Sequence, residues 1–196
     1  MARPKSEEKR AQILSAATQV FAKNGLSAST ASITSAAGVA EGTLFNYFKG
    51  KDDLMNTLYL EIKTDLAECM LGGAKPDGSP KEAMHHIWNN YIDWGARNPD
   101  QLAVLHKLKV WEGLTPETRE ATVTRFAHLH CITEAAIIGS GLKDVPHDFM
   151  IAMFSAQVEV VLQYIKQDPG KESFYKDIGF ELFWFGIHGQ DKRKNK

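Results

Sequence analysis

Apolar residues recur at helical spacing along nearly the whole chain. Ile13, Ala17, Val20 and Phe21 stand at i, i+4, i+7 and i+8, with Leu14 and Ala16 beside them. That pattern predicts an amphipathic helix with one buried face. Ser6 is placed to cap it, Glu7 and Glu8 fall in its first turn, and Asn24-Gly25 ends it. The later breaks are equally clear. Gly72-Gly73 and residues 76–80 read as a linker. Ser79-Pro80-Lys81-Glu82 reads as an N-cap, a proline at the first helical position and a capping-box glutamate; Asn98-Pro99-Asp100-Gln101 repeats that logic with glutamine. Thr115-Pro116-Glu117 opens another helix, Gly139-Ser140-Gly141 closes it, and Val145-Pro146 and Asp168-Pro169-Gly170 bracket the next.

The pattern predicts about nine helices: three short ones within residues 6–48, then roughly 51–71, 80–96, 100–112, 116–138, 146–167 and 171–188. No strand alternation or fixed-period repeat interrupts them, so the fold class is all-α. The expected organisation is an N-terminal three-helix module over residues 1–50, a helical body over 51–190 and a solvated basic tail over 191–196.

The last two long helices are apolar on more than one face. Phe149, Met153, Ala156, Val160 and Tyr164 form one stripe; Ile151, Phe154, Val158, Val161 and Ile165 form a second. In the final helix Phe174, Ile178, Leu182 and Phe185 sit beside Phe183, Trp184 and Ile187. A helix wet on one side needs a single stripe. Two stripes imply burial against the subunit's own core and against something else, and pairing two such helices with a second copy gives a four-helix interface. The residues expected there are Phe149, Met153, Gln157, Val160, Tyr164, Phe174, Ile178, Leu182 and Phe185; a wholly interior helix is the alternative.

The middle helices carry large amphipathic side chains: Trp88, Tyr91, Trp94, His106, Trp111, Phe126 and His130, with Phe154 from the second-last helix. Such groups line pockets for apolar or aromatic ligands; at helical spacing they also serve as plain core.

Catalytic and metal chemistry find little support. His128 and His130 point about 200° apart on a helix and cannot share an ion. His128 and Cys131 share a face, but two ligands do not close a zinc site. No glycine-rich phosphate loop is present. Neither a cofactor nor an enzymatic activity is expected. Two cysteines, Cys69 and Cys131, suit a reducing cytoplasm rather than a disulfide framework. No run reaches 18 apolar residues; the richest, residues 150–162, is broken by Ser155, Gln157 and Glu159, so no membrane span is expected.

Charge changes the picture at one end. Residues 1–51 carry seven basic and three acidic side chains, +4, which leaves −5 on the rest of a chain whose net charge is −1. A cationic end on an anionic body suits a polyanionic partner.

The stretch AAGVAEGTLFNYFKGKDDL, residues 36–54, lies at that end. Gly38 stops one short helix, which we expect over residues 32–37, with the left-handed turn that glycine allows. Val39 fills the angle. Glu41 and Gly42 open a second short helix whose buried face is Leu44 and Phe48, four apart. Thr43, Phe45, Asn46 and Tyr47 then point outward. A helix, a glycine turn and a short helix with a polar-aromatic outer face is the helix-turn-helix plan, whose second helix enters the DNA major groove. Thr43 and Tyr47 can donate hydroxyls to phosphates, and Lys51 adds a charge at the next helix start. Asn46 can read adenine and Glu41 can accept from a cytosine amine, or both face water. Arg3 and Lys5, ahead of the first helix, can reach a minor groove as an arm.

The segment 13–54 resembles the N-terminal domain of the tetracycline-repressor-like (TetR/AcrR) transcription regulators. Ile13-Leu14-x-Ala16-Ala17, Phe21, Gly25, Ile33, Ala37-Gly38-Val39, Gly42-Thr43-Leu44, Tyr47-Phe48 and Lys51 carry the likeness, over about a quarter of the chain. The resemblance implies a two-domain helical subunit working as a homodimer and a palindromic double-stranded operator. It further implies repression when bound and release when a small molecule, apolar or aromatic, fills the C-terminal ligand-binding and dimerisation domain. It implies DNA contacts from Thr43, Tyr47 and Lys51, with Ser32, Thr34, Glu41, Gly42, Phe45 and Asn46 completing the expected surface. Phe45 stands where the family usually has tyrosine, so the hydroxyl there is missing. The segment from Gly25 to Gly38 is one residue shorter than the commonest form. The competing reading is a helical protein-interaction adaptor that keeps the corner for packing, with Phe45 and Tyr47 covered.

Overall fold

The computed structural model describes residues 3–189 except 74–77, 139, 141 and 143, with side chains from residue 7 onward. The expected linker at 76–77, the Gly139 and Gly141 helix stop and the basic tail 191–196 lie outside the described residues. Among those described there are nine α-helices and one short 3-10 turn. They are α1 (Arg3–Asn24), α2 (Thr30–Ala36), α3 (Glu41–Leu44), α4 (Lys51–Leu71), α5 (Pro80–Arg97), α6 (Pro99–Lys109), α7 (Pro116–Ile137), α8 (His147–Gln167) and α9 (Glu172–His188); the 3-10 turn, Pro169–Lys171, precedes α9. The all-α expectation holds, and the later boundaries fall within about three residues of those predicted. The first helix is not short. It runs 22 residues from Arg3, so Ser6 lies inside it rather than capping it.

The chain divides into two compact units. One comprises residues 1–65 and 98–125, the other 66–97 and 126–196. These units cut the chain differently from a boundary at residue 50: α6 and the first part of α4 join the N-terminal helices.

In the first unit α1 packs against α2 and α6, and α2 against α3. Ile13, Ala17, Phe21, Ile33, Leu44, Leu54, Val104 and Leu108 are fully buried and form its core. The periodic residues of α1 are thus the ones removed from water, each large side chain contributing about 1.5–3 kcal/mol. Asn56 fixes the turn after α6. Its Nδ2 donates to Gly113 O at 3.0 Å and its Oδ1 accepts from Thr115 N–H at 2.9 Å. Thr115 in turn caps α7, accepting from Thr118 N–H at 3.2 Å.

In the second unit α5, α8 and α9 pack on one another around Trp88, which is 0% exposed. The predicted capping box starts α5: Glu82 accepts from Ser79 N–H at 2.8 Å, and Ser79 Oγ from Glu82 N–H at 3.3 Å. The parallel expectation at Asn98 fails, because the Asn98 side chain makes no capping bond. Helix α9 comes very close to Trp88 and α8 at Gly179. A β-carbon there would lie 2.6 Å from Val161 Cγ2 and 2.9 Å from Trp88 Cζ2, so any larger residue would have to push these side chains aside. By length and composition α8 is apolar enough to cross a membrane, and core or interface helices of water-soluble proteins share that property.

Candidate nucleic-acid interface

Two glycines and a serine shape the N-terminal corner. Gly25 (φ 81°) closes α1, its N–H donating to Phe21 O at 3.1 Å. Ser29 then caps α2, its Oγ accepting from Ser32 N–H at 3.1 Å. The helix therefore begins at Thr30, two residues before its expected start. At the other end Gly38 takes φ 66°. Val39 N–H donates to Thr34 O at 3.0 Å and Gly38 N–H to Ser35 O at 3.2 Å, the paired bonds of a Schellman stop. The chain reverses into α3, where Leu44 and Phe48 are 0% and 2% exposed, as their spacing predicted.

The outer side of α3 matches the expectation in part. Glu41, Gly42, Phe45 and Asn46 are exposed; Thr43, Tyr47 and Lys51 are half-buried. Ser32 is half-buried and donates its hydroxyl to Ser29 O at 2.7 Å, leaving its lone pairs as acceptors. Thr34 is a correction. It is 2% exposed, and its hydroxyl is shared between Thr30 O and Ala31 O at 3.1 Å each, so it faces the core and offers nothing to DNA. Arg3 and Lys5 lie within α1, not on an arm ahead of it.

Several side chains that the sequence did not single out hold this corner in place. Lys107 of α6 donates to Phe21 O at 2.9 Å and to Ala22 O at 2.8 Å, satisfying the last carbonyls of α1. The Lys51 ammonium sits 6.0 Å from the centre of the Phe21 ring, within cation–π range. Arg10 lies 5.8 Å from the centre of the Phe48 ring and pairs with Glu61 at 2.5 Å. Asp53 reaches back to accept from Lys49 N–H at 2.8 Å, at the start of α4. Apart from the Asp53–Lys49 contact, which spans four residues, these links do not show in local patterning, because each joins residues brought together only by helix packing. The arrangement presents hydroxyls and ammonium groups suited to phosphates, with an amide, a carboxylate and a phenyl ring among them suited to base edges.

The expected pocket residues divide between the units. Trp88, Tyr91, Trp94 and Phe154 come together in the second unit, where Trp88 meets Phe154 edge-on at 5.6 Å and stacks on Phe183 at 5.8 Å. Trp88 Nε1 donates to Lys176 O at 3.0 Å, so its polar atom is satisfied and the ring acts as a core member. Phe180, not anticipated, completes the cluster. Burial pushes the Tyr91 phenol up to about 12, with Glu159 adding to the rise and a hydrogen bond from Ser155 opposing it. Phe126 and His130 also belong to the second unit, each half-buried; His106 and Trp111 belong to the first.

The expected dimer residues lie outward. Phe149, Met153, Val160, Tyr164, Phe174, Ile178, Leu182 and Phe185 are all exposed, Leu182 by 66% and Phe185 by 72%, and Gln157 is half-buried. The opposite faces of the same helices, Phe154, Val158, Val161 and Ile165 on α8 and Phe180, Phe183 and Ile187 on α9, are buried. The two helices thus expose large apolar side chains on one face and bury those on the other.

Comparison with known proteins agrees with this geometry. Residues 13–58 match the family described as bacterial regulatory proteins, tetR family. The chain is 39% identical over 100 residues to the fatty acid metabolism regulator protein of Bacillus subtilis (strain 168), a match covering 50% of this chain and 51% of that one. The match thus spans about half the length of that curated relative. A TetR family transcription regulator from Marinobacter aquaeolei VT8 superposes with a TM-score of 0.84 at 19% identity, over 94% of this chain and 98% of that one. The transcriptional regulator FadR from Bacillus subtilis, solved in complex with stearoyl-CoA, superposes with a TM-score of 0.67 at 21% identity, over 91% and 99%. The last two share the fold; the N-terminal match carries the kinship, and it falls on the corner built by Gly25, Gly38, Leu44 and Phe48. A glycine-turned corner with a solvent-facing α3 is thus the segment in which the chain is similar to the bacterial regulatory proteins of the tetR family.

Proposed function

We propose that the chain is a cytoplasmic, effector-responsive repressor that binds a palindromic operator as a homodimer. The observation that carries this reading is the outer side of α3. Glu41, Phe45 and Asn46 stand exposed beside the half-buried Thr43, Tyr47 and Lys51. The adaptor alternative expects Phe45 and Tyr47 covered; Phe45 is exposed, which speaks against it, while Tyr47 is half-buried. The exposed apolar faces of α8 and α9 supply a surface for a second copy, and the two α3 helices would then address half-sites one helical turn or a multiple apart.

The effector class is taken from the comparison: stearoyl-CoA in a solved protein of the same fold makes a long-chain acyl thioester the first class to try, with the aromatic-rich second unit as the place to look for it. Selection of genomic fragments by the purified protein tests the reading. Recovered fragments should share an inverted repeat, lose affinity steeply with added salt, and be released by the correct effector. Failure to retain any fragment at low salt overturns it.

A further inference from the structure

Phe45 is the residue that distinguishes this corner chemically. It stands at the C-terminal end of α3 (φ −71°, ψ −9°) and is 53% exposed. Among the described residues of the first unit it is the exposed aromatic ring; Phe21 and Phe48 are buried at 0% and 2%, and Tyr47, Tyr59 and Trp111 are half-buried. Its sequence neighbour Leu44 and the residue three further on, Phe48, already occupy the inward positions. The ring therefore cannot join the core without breaking the helix register.

Its surroundings are shaped for close approach. Gly42 lies three residues before Phe45 on the same face, and a β-carbon built there meets nothing within 4 Å. Glu41 and Asn46, both exposed, flank the ring with a carboxylate and an amide. Lys49 and Lys51 supply positive charge a few residues on.

A phenyl ring has no donor or acceptor for a phosphate or a polar base edge. In the major groove the apolar group on a base edge is the C5-methyl of thymine. We infer that Phe45 is a specificity-determining residue that packs on a thymine methyl in each operator half-site and so biases the protein toward sites with thymine under α3. This deepens the repressor reading and rests on it. Removing a methyl group from that contact forfeits roughly the burial of one CH2, about fourfold in affinity per half-site and about fifteenfold for both.

The test uses the full chain and a fragment recovered by genomic selection. Each thymine of the half-site is replaced in turn by deoxyuridine, which removes the methyl and leaves base pairing intact. We expect one or two thymines per half-site to be sensitive, by about fourfold. Phe45→Ala should bind the deoxyuridine and thymidine fragments equally, while Lys51→Ala should bind both more weakly and keep the difference between them. Circular dichroism establishes that Phe45→Ala folds, and Phe45→Leu, still apolar, should keep part of the preference if Ala does not fold. If no thymine is methyl-sensitive, or the sensitivity survives in Phe45→Ala, the inference falls while the repressor reading stands. Equal weakening of every sequence by Phe45→Ala, the mark of a ring packed on sugar, also overturns it. A protein that retains no DNA at any salt overturns the repressor reading and this inference together.

Discussion

Lys107 closes the C-terminal end of α1 through Phe21, with Nζ 2.9 Å from the Phe21 carbonyl and 2.8 Å from that of Ala22. The Phe21 carbonyl also accepts from Gly25 N–H at 3.1 Å, so the Lys107 ammonium adds a second donor at this helix end, where a cation complements the helix dipole. The same Phe21 carries the ring over which Lys51 sits, so one residue links a helix cap to a candidate phosphate contact. Lys107→Met keeps the aliphatic packing and removes the donors. We expect a loss of about 1–2 kcal/mol, seen as a thermal midpoint lower by roughly 2–8 °C. Phosphate-dependent DNA affinity should weaken less than it does on loss of Lys51 itself.

In the proposed complex Lys51 would contribute charge rather than sequence readout. Lys51→Ala should weaken binding to every DNA sequence alike and flatten the dependence of log affinity on log salt by about two units per dimer, one per subunit. Asn46→Ala should instead change which base wins, by about 1–3 kcal/mol at one position. Titrations on two fragments at three salt concentrations separate the two behaviours.

Leu182 and Phe185 are the most exposed of the apolar residues on α9. A glutamate at either position would place a charge in the proposed subunit interface without touching the buried face of Phe180, Phe183 and Ile187. Sedimentation should show Leu182→Glu and Phe185→Glu as folded monomers. Their DNA affinity should fall by orders of magnitude, since one half-site alone gives up the gain from linking two. Monomers that bind the palindrome as tightly as the parent would count against a dimeric reader.

His130 and His147 join α7 to α8 through one hydrogen bond, Nδ1 to Nε2 at 2.6 Å, and His130 Nε2 lies 3.0 Å from Glu134 Oε1. With both rings neutral, His130 donates to Glu134 and accepts from His147. A second positive charge beside the first is unfavourable. Burial and the neighbouring His130 hold the His147 pKa below its usual value, partly offset by Asp148 and Glu134. Because the unfolded chain then takes up the proton more readily, stability should fall as pH drops below about 6.5 and level off once the folded protein is protonated too. His147→Gln should flatten that part of the curve, measured by thermal unfolding between pH 5 and 8.

The helices were legible because their signals are local. The Ser79–Glu82 capping box, the Gly38 stop and the Leu44–Phe48 pair each depend on residues within four positions. Thr34 was misread for a physical reason: a threonine hydroxyl bonds its own helix carbonyls as readily as a phosphate, and only the packing of α2 decides. The grouping of α6 with α1 was hidden as well, because Lys107 and Phe21 are 86 positions apart. The outward aromatics of α8 and α9 were readable as a second stripe, since helical spacing separates two faces even when both are apolar.

Gly179 and Gly38 both resist substitution, for different reasons that genetics should tell apart. At Gly179 the obstacle is a neighbour, Val161 Cγ2 at 2.6 Å, so a Gly179→Ala defect should be partly suppressed by Val161→Ala, which vacates that space. At Gly38 nothing stands within 4 Å and the obstacle is the torsion itself. No neighbour can be trimmed to relieve it, so suppressors of Gly38→Ala should be changes at codon 38 or general stabilisers scattered through the fold that offset a torsional cost of about 1–2 kcal/mol, not substitutions packed around residue 38.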